Sequence, residues 1–392
     1  DGPGTERITI NTPQAVIAWT LPTPPPGPFT FLPAGNTATF QGAPGNGNFA
    51  VLNRIVNAGT STIVIDGNII GRISATNATP GGTIAFFTPN GLVIGGNAVI
   101  DVGSLVLTTL DPVFSTTGQF ISPAGTIVFQ GNPNNPGTTL TTVAGSQITA
   151  NQPGSYVIFA APGITHGGSV RVNGSAAYVA MGAGTVTHNA GLFDIQVALG
   201  TTLATPLVHT GSTTGPASTG AADQHQIAMV AVSEISAFQA LIGGQIGYDA
   251  PLSAAIENGA IVISTQARNS APGDAAAASL LINGGNFTSD VTAMSSHDAS
   301  VAGNVTFTQD LTLAGPRNVR MTAGAGETIN VGGNLSLTSE SAVANHPGID
   351  RTGGDVRMTA TEGGLIQVTG NAGVRADGIG RMTRAGGSRI GN

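Results

Sequence analysis

GGTIAFFTPNGLVIGGNAVIDVGSLVLTTLD, residues 81–111, is the stretch that decides the fold. Three short apolar runs sit in it, at 83–87, 92–94 and 98–102, and a fourth follows at 104–107. Each is rich in Val, Ile, Leu or Phe, and each is bounded by Gly, Asn or Pro. That is the punctuation of strands and turns. The connections are too short for crossover helices, so strands this close must stack on further strands. The rest of the chain repeats the pattern. The expected fold is all-β: a right-handed parallel β-helix, a solenoid, with an N-terminal cap and extra-helical insertions.

Composition agrees. Of 392 residues 58 are Gly, and only 8% are charged. Disorder would fit low charge and high Gly, but 40% hydrophobic content in Val- and Ile-rich runs argues against it. Gly with Asn and Thr suits a fold of many tight turns. The net charge is −7 and Lys is absent, which speaks against nucleic acid and against an anionic membrane surface as partners. There is no Cys, so stability must come from stacked coils and not from cross-links. No apolar run is long enough for a membrane-spanning helix. Asp1 reads either as a mature start after removal of a signal peptide or as a cut within a longer chain.

Residues 1–41 read as the cap over the open helix end, interrupted at 21–28 by the polyproline loop LPTPPPGP. Trp19, the single Trp, is expected to pack in the core. Residues 75–82 and 209–223 read as loops, and 191–259 as an irregular excursion or insertion. Within it, SEISAFQAL (233–241) is a helix candidate, with Ser233 as cap and Ile235, Phe238 and Leu241 on one face. From 260 to 392 the coils resume. Asn follows Gly before a strand at Asn286, Asn304, Asn334 and Asn371. Val319-Arg320-Met321-Thr322 and Val356-Arg357-Met358-Thr359 alternate with period two, which turns Arg320 and Arg357 to solvent. Nothing caps the last coil at Gly391-Asn392, so the natural protein is expected to continue, and the open end could self-associate.

Chemistry-bearing residues are dispersed. Asp66, Asp101, Asp111, Asp290 and Asp355 adjoin turns or strand ends and read as structural. Asp223 and His225 could offer two metal ligands, but no third is in sight. No phosphate loop, dinucleotide fingerprint or catalytic triad order stands in its proper context. The expectation is no enzyme activity, no cofactor and no metal.

The order of segments resembles the N-terminal secretion domain of filamentous haemagglutinin-like exoproteins of two-partner secretion. Thr88-Pro89-Asn90-Gly91-Leu92 is similar to that family's Asn-Pro-Asn-Gly-Ile signature, with Thr88 and Leu92 as departures. Val51-Leu52-Asn53-Arg54-Ile55-Val56 is similar to its Ala-Val-Leu-Asn-Arg-Val segment. Val16-Ile17-Ala18-Trp19 followed by Thr37-Ala38-Thr39-Phe40-Gln41, the strand at 63–70, and a closing coil at 150–183 keep the family's order. The resemblance covers about the first half of the chain. It implies a domain at 1–190 that directs export through an outer-membrane transporter barrel of a Gram-negative bacterium. Asn53, Arg54 and Thr88, Pro89, Asn90, Gly91, Leu92 would then form the secretion motif. It also implies a secreted or surface-held adhesin as the whole protein, with cell-surface glycans or proteins as targets. A self-stacking structural filament and a polysaccharide-degrading β-helix enzyme are the alternatives. From the residues alone, Asn90-Gly91 reads as a type I′ turn.

Overall fold

The computed structural model describes residues 3–21, 27–56, 61–133, 135–220, 223–232, 238–249, 259–265, 278–339, 354–376, 380–384 and 389–391. Among them every regular element is a strand. The polyproline stretch at 22–26 and the helix candidate's first half lie outside them. Its second half is a strand, Phe238–Ile242, paired in parallel with Leu207–His209 and Ala278–Phe287. Local apolar spacing of three is overridden there by neighbours that offer strand edges on both sides.

Each coil has three faces. On the first, Thr5–Ile10 pairs with Thr37–Gly42, that with Asn68–Ser74, and that with Val99–Asp101. On the second, Gln14–Trp19, Ala50–Ile55, Thr83–Phe87 and Ser104–Thr108 follow one another. On the third, Phe29–Leu32, Ile63–Ile65, Leu92–Ile94 and Thr139–Thr142 do the same. All these pairings are parallel, and the three stacks run on to Arg389–Gly391, Ala372–Ala376 and Gly380–Arg384. The chain is therefore a parallel β-helix, and its opening segment takes the form of a first coil. Between 191 and 259, Leu207–His209, Ser212–Gly215, Gln226–Ala231, Phe238–Ile242 and Gln245–Tyr248 are also rungs. His209 thus opens no loop. Residues 75–82 are not a plain loop either, because Asn77–Pro80 folds back antiparallel on Asn68–Ser74.

Side chains pointing inward stack in columns. Ile63, Leu92, Leu140, Ile164 and Leu207 occupy one register position through five coils, all buried. Each apolar residue covers the one below, which is how a solenoid builds a core from short strands. Corners interrupt the backbone ladder, and side chains replace it there. Asp290 Oδ1 accepts the N–H of Asp310 (3.0 Å), Asp310 Oδ1 that of Asn334 (2.6 Å), and Asn334 Oδ1 that of Asn371 (3.0 Å). So only two of the four Gly-Asn positions share a column. Asn304 serves another corner, where it accepts the N–H of Thr328 (2.8 Å), and Asn286 lies inside a strand.

Outside the second face lies a separate four-stranded antiparallel sheet, made of Asp111–Pro112, Thr126–Gln130, Ala183–Asn189 and Leu192–Leu199. Its inner side, with Ile127, Phe129, Val186, Ile195 and Val197, covers the outward residues Leu52, Phe87, Val106, Ile158 and Val179 of the helix. That is why runs such as SLVLT and IAMVA lack alternation: strands buried on both faces read as continuous apolar sequence.

Candidate functional site

The residues singled out by the family resemblance divide between the inside and the outside of the helix. Asn53 sits in Ala50–Ile55 between the inward residues Val51 and Ile55, and is fully buried. Its Oδ1 accepts the indole N–H of Trp19 (3.0 Å), and its Nδ2 donates to the carbonyl of Ala85 (3.2 Å). Asn53 therefore ties three successive rungs of the second face. Trp19 packs against this core, edge-on to Phe31 at 5.2 Å, as expected. Replacing Asn53 by Ala should cost about 1–3 kcal/mol, since the indole N–H and the Ala85 carbonyl lose a buried partner. A denaturant midpoint equal to that of the parent would show that this bridge contributes nothing.

Arg54, one residue on, points outward. Its guanidinium forms a two-pronged pair with Asp111, at 2.5 and 2.9 Å. It lies 4.9 Å over the Phe87 ring and 5.6 Å from that of Phe114. The aromatic rings and the carboxylate hold it extended across the rim of the outer sheet.

The next rung supplies the rest. Thr83–Phe87 ends at a turn through 88–91. Thr88 is buried, donates its N–H to the Thr108 carbonyl (3.1 Å), and donates its hydroxyl to the Gly91 carbonyl (2.6 Å). The turn is not type I′. That type needs positive φ at both central residues, here Pro89 and Asn90, and proline's ring fixes φ near −65°. Only Gly91 is in the positive region, at φ 108°. A β-carbon there would press on Thr62 and on the Thr139 carbonyl of the coil above. Leu92 then enters the core, fully buried.

Arg54, Pro89 and Asn90 thus meet at one cleft of about 440 Å³, with Val56, Phe87 and Pro133 among its other walls. Thr88, Gly91, Leu92 and Asn53 are not among its walls. Its remaining walls, including Asp111, Gln130 and Asn132, come from the outer sheet and the loop after it. No sequence spacing pointed to these, since Asp111 lies 57 residues from Arg54. Phe87 was legible as the residue before Thr88, and Val56 as an apolar residue left outside its strand, 49% exposed.

Two further polar groupings are internal. His225 is buried, with Nδ1 3.0 Å from the Pro216 carbonyl and Nε2 3.1 Å from Asp223 Oδ1, so both ring nitrogens are taken by protein oxygens. His166 and His209 stack in adjacent rungs, 4.8 Å between centroids, beside Tyr178 and Phe159. Among the described residues no three His, Asp or Glu side chains are grouped to hold a metal ion.

The fold and the cleft define a class: a three-faced parallel β-helix, flanked by an antiparallel sheet, with a mixed apolar and charged groove where the two meet. Solved structures similar to this chain include the crystal structure of the HMW1 secretion domain from Haemophilus influenzae. That similarity covers 100% of this chain and 96% of the other at 12% identity, with a TM-score of 0.43. A second is the crystal structure of the filamentous hemagglutinin secretion domain, over 83% of this chain and 75% of the other at 16% identity, with a TM-score of 0.35. No protein-family model matches the chain, and no curated protein matches it significantly.

Proposed function

We propose that residues 1–190 direct the export of a two-partner secretion exoprotein and that residues 260–392 continue its helical shaft. The cleft at Arg54 is the surface an outer-membrane transporter barrel engages. One observation carries this reading: Arg54 and the Pro89-Asn90 turn belong to two separate segments of the family resemblance, yet line one groove. Exposed Val56 and Phe114 beside a half-exposed Arg–Asp pair make a surface of the kind that partners bury, with apolar anchors and a charged rim. The whole protein would be a non-enzymatic adhesin, secreted or held at the surface of a Gram-negative cell.

Arg54→Gln and Asn90→Ala change surface side chains, so the purified chain should keep its fold. Export in cells that carry the partner barrel should fall about tenfold for Arg54→Gln, the scale on which a truncated interface arginine weakens binding. Undiminished export of both variants, with the barrel shown to be required, would leave the cleft without this role.

A further inference from the structure

We propose that the third face of the C-terminal coils binds a linear acidic polysaccharide, an assignment that stands independently of the secretion reading. Three strands carry nearly the same sequence: VRMTA at Val319–Ala323, VRMTA at Val356–Ala360 and GRMTR at Gly380–Arg384. They pair in parallel without a shift. Arg320 is opposite Arg357 and Arg357 opposite Arg381, while Thr322, Thr359 and Thr383 form a second column. In the first two strands Val and Met face the core, and Arg320 and Arg357 are exposed.

Such an arrangement is costly for the chain alone. Adjacent strands are about 4.8 Å apart, and like charges directly opposite one another destabilise a sheet. Among the described residues few ion pairs offset them. Arg320 has no ion pair among the described residues, and Arg357 has only Asp355 at 3.8 Å, with both side chains more than a third exposed. The Glu327 carboxylate accepts the N–H of Gly324 (2.8 Å) and forms no ion pair among the described residues. Arginine is also concentrated here. Residues 317–392 hold eight of the 13 arginines against six carboxylates, whereas residues 1–316 hold five against fourteen. An acidic protein thus keeps one net positive segment.

The exposed guanidinium groups of Arg320 and Arg357, with the Thr322 and Thr359 hydroxyls beside them, complement a chain of repeated carboxylates or sulfates with intervening hydroxyls, and the Arg381 position continues the same register. The guanidinium fork pairs with such oxyanions in two-pronged fashion. Single-stranded nucleic acid is the poorer fit, because its bases need aromatic platforms. After Phe307, which is buried, the sequence has no Phe, Tyr or Trp.

The test is titration of the full chain with polygalacturonate, which presents carboxylates, and with heparin, which presents sulfates, at low and physiological salt. Either should bind, and raised salt should weaken it; the stronger of the two identifies the anion. The triple variant Arg320→Gln, Arg357→Gln, Arg381→Gln should lose about tenfold or more in affinity, given the strength of charge-assisted hydrogen bonds. Arg171→Gln, on another part of the surface, should not. The triple variant should melt no lower than the parent, because it removes like-charge contacts. If it does melt lower, single Arg320→Gln and Arg357→Gln variants carry the comparison. The proposal is overturned if the parent binds neither polymer at low salt, or if the arginine variants bind as well as the parent. It is equally overturned if single-stranded DNA competes on equal terms through the same arginines.

Discussion

Lowering the pH from 6.5 to 4 is expected to reduce the stability of this chain by about 3 kcal/mol for each of two buried imidazoles, His166 and His209. Both are fully buried. His166 Nδ1 accepts the Thr142 hydroxyl (2.6 Å) and its Nε2–H donates to the Ser212 carbonyl (3.1 Å). His209 Nδ1–H donates to the Gly243 carbonyl (2.7 Å) and its Nε2 accepts the Thr213 hydroxyl (2.9 Å), which in turn accepts the Tyr178 hydroxyl (2.6 Å). Each ring is satisfied as a neutral species, and among the described residues neither forms an ion pair. Burial pushes His166 down to about 4, and burial together with the neighbouring His166 pushes His209 down to about 3. Their value in the unfolded chain is near 6.5. Below that pH the unfolded state takes up protons that the folded state refuses, so stability is complete above about 6.5 and falls as pH falls. The measurement is the denaturant midpoint from pH 7.5 to 4. A His166→Gln, His209→Gln double variant should show a shallower fall. Part of the slope should remain, because burial also holds His188 in the outer sheet at about 4. Parallel pH curves for parent and double variant would rule out the imidazole pair as the cause.

Replacing Phe129 by Ala should detach the outer sheet from the helix. Phe129 is 1% exposed and sits in the apolar layer between them, with Phe87, Val106 and Ile158. The expected loss is about 3–5 kcal/mol, from lost transfer energy and the cavity left behind. The loss should be local, because the helix interior is a second core with its own columns. Protease cutting should therefore appear in 113–137, and amide protection should drop in Thr126–Gln130 and Ala183–Asn189. Leu92–Ile94 and Gly163–His166 should stay protected. Phe129→Leu, which keeps most of the volume, should cost less than about 1.5 kcal/mol. The freed face of Leu52, Phe87, Val106 and Val179 should also make the Ala variant prone to associate. Loss of protection throughout the helix at the same denaturant concentration would mean that the two cores unfold as one.

Much of the architecture was legible from residues 81–111. Short apolar runs between Gly, Asn and Pro leave no room for helices, and four of four runs there are strands in the structure. The outward direction of Arg320 and Arg357 followed from period two alone, because a strand alternates its sides whatever it packs against. Other features depend on partners far along the chain. Phe238–Ile242 became a strand because two rungs flanked it, and its local spacing carried no sign of them. The second core joins strands more than fifty residues apart, so a run such as SLVLT shows burial on both sides without showing what buries it. Asn53 and Arg54 are neighbours in sequence, and pleating sends one into the core and the other to the cleft. Sequence order determined that the two segments of the candidate motif exist. Only the stacking of one coil on the next, together with the sheet laid against it, decided which of their side chains meet.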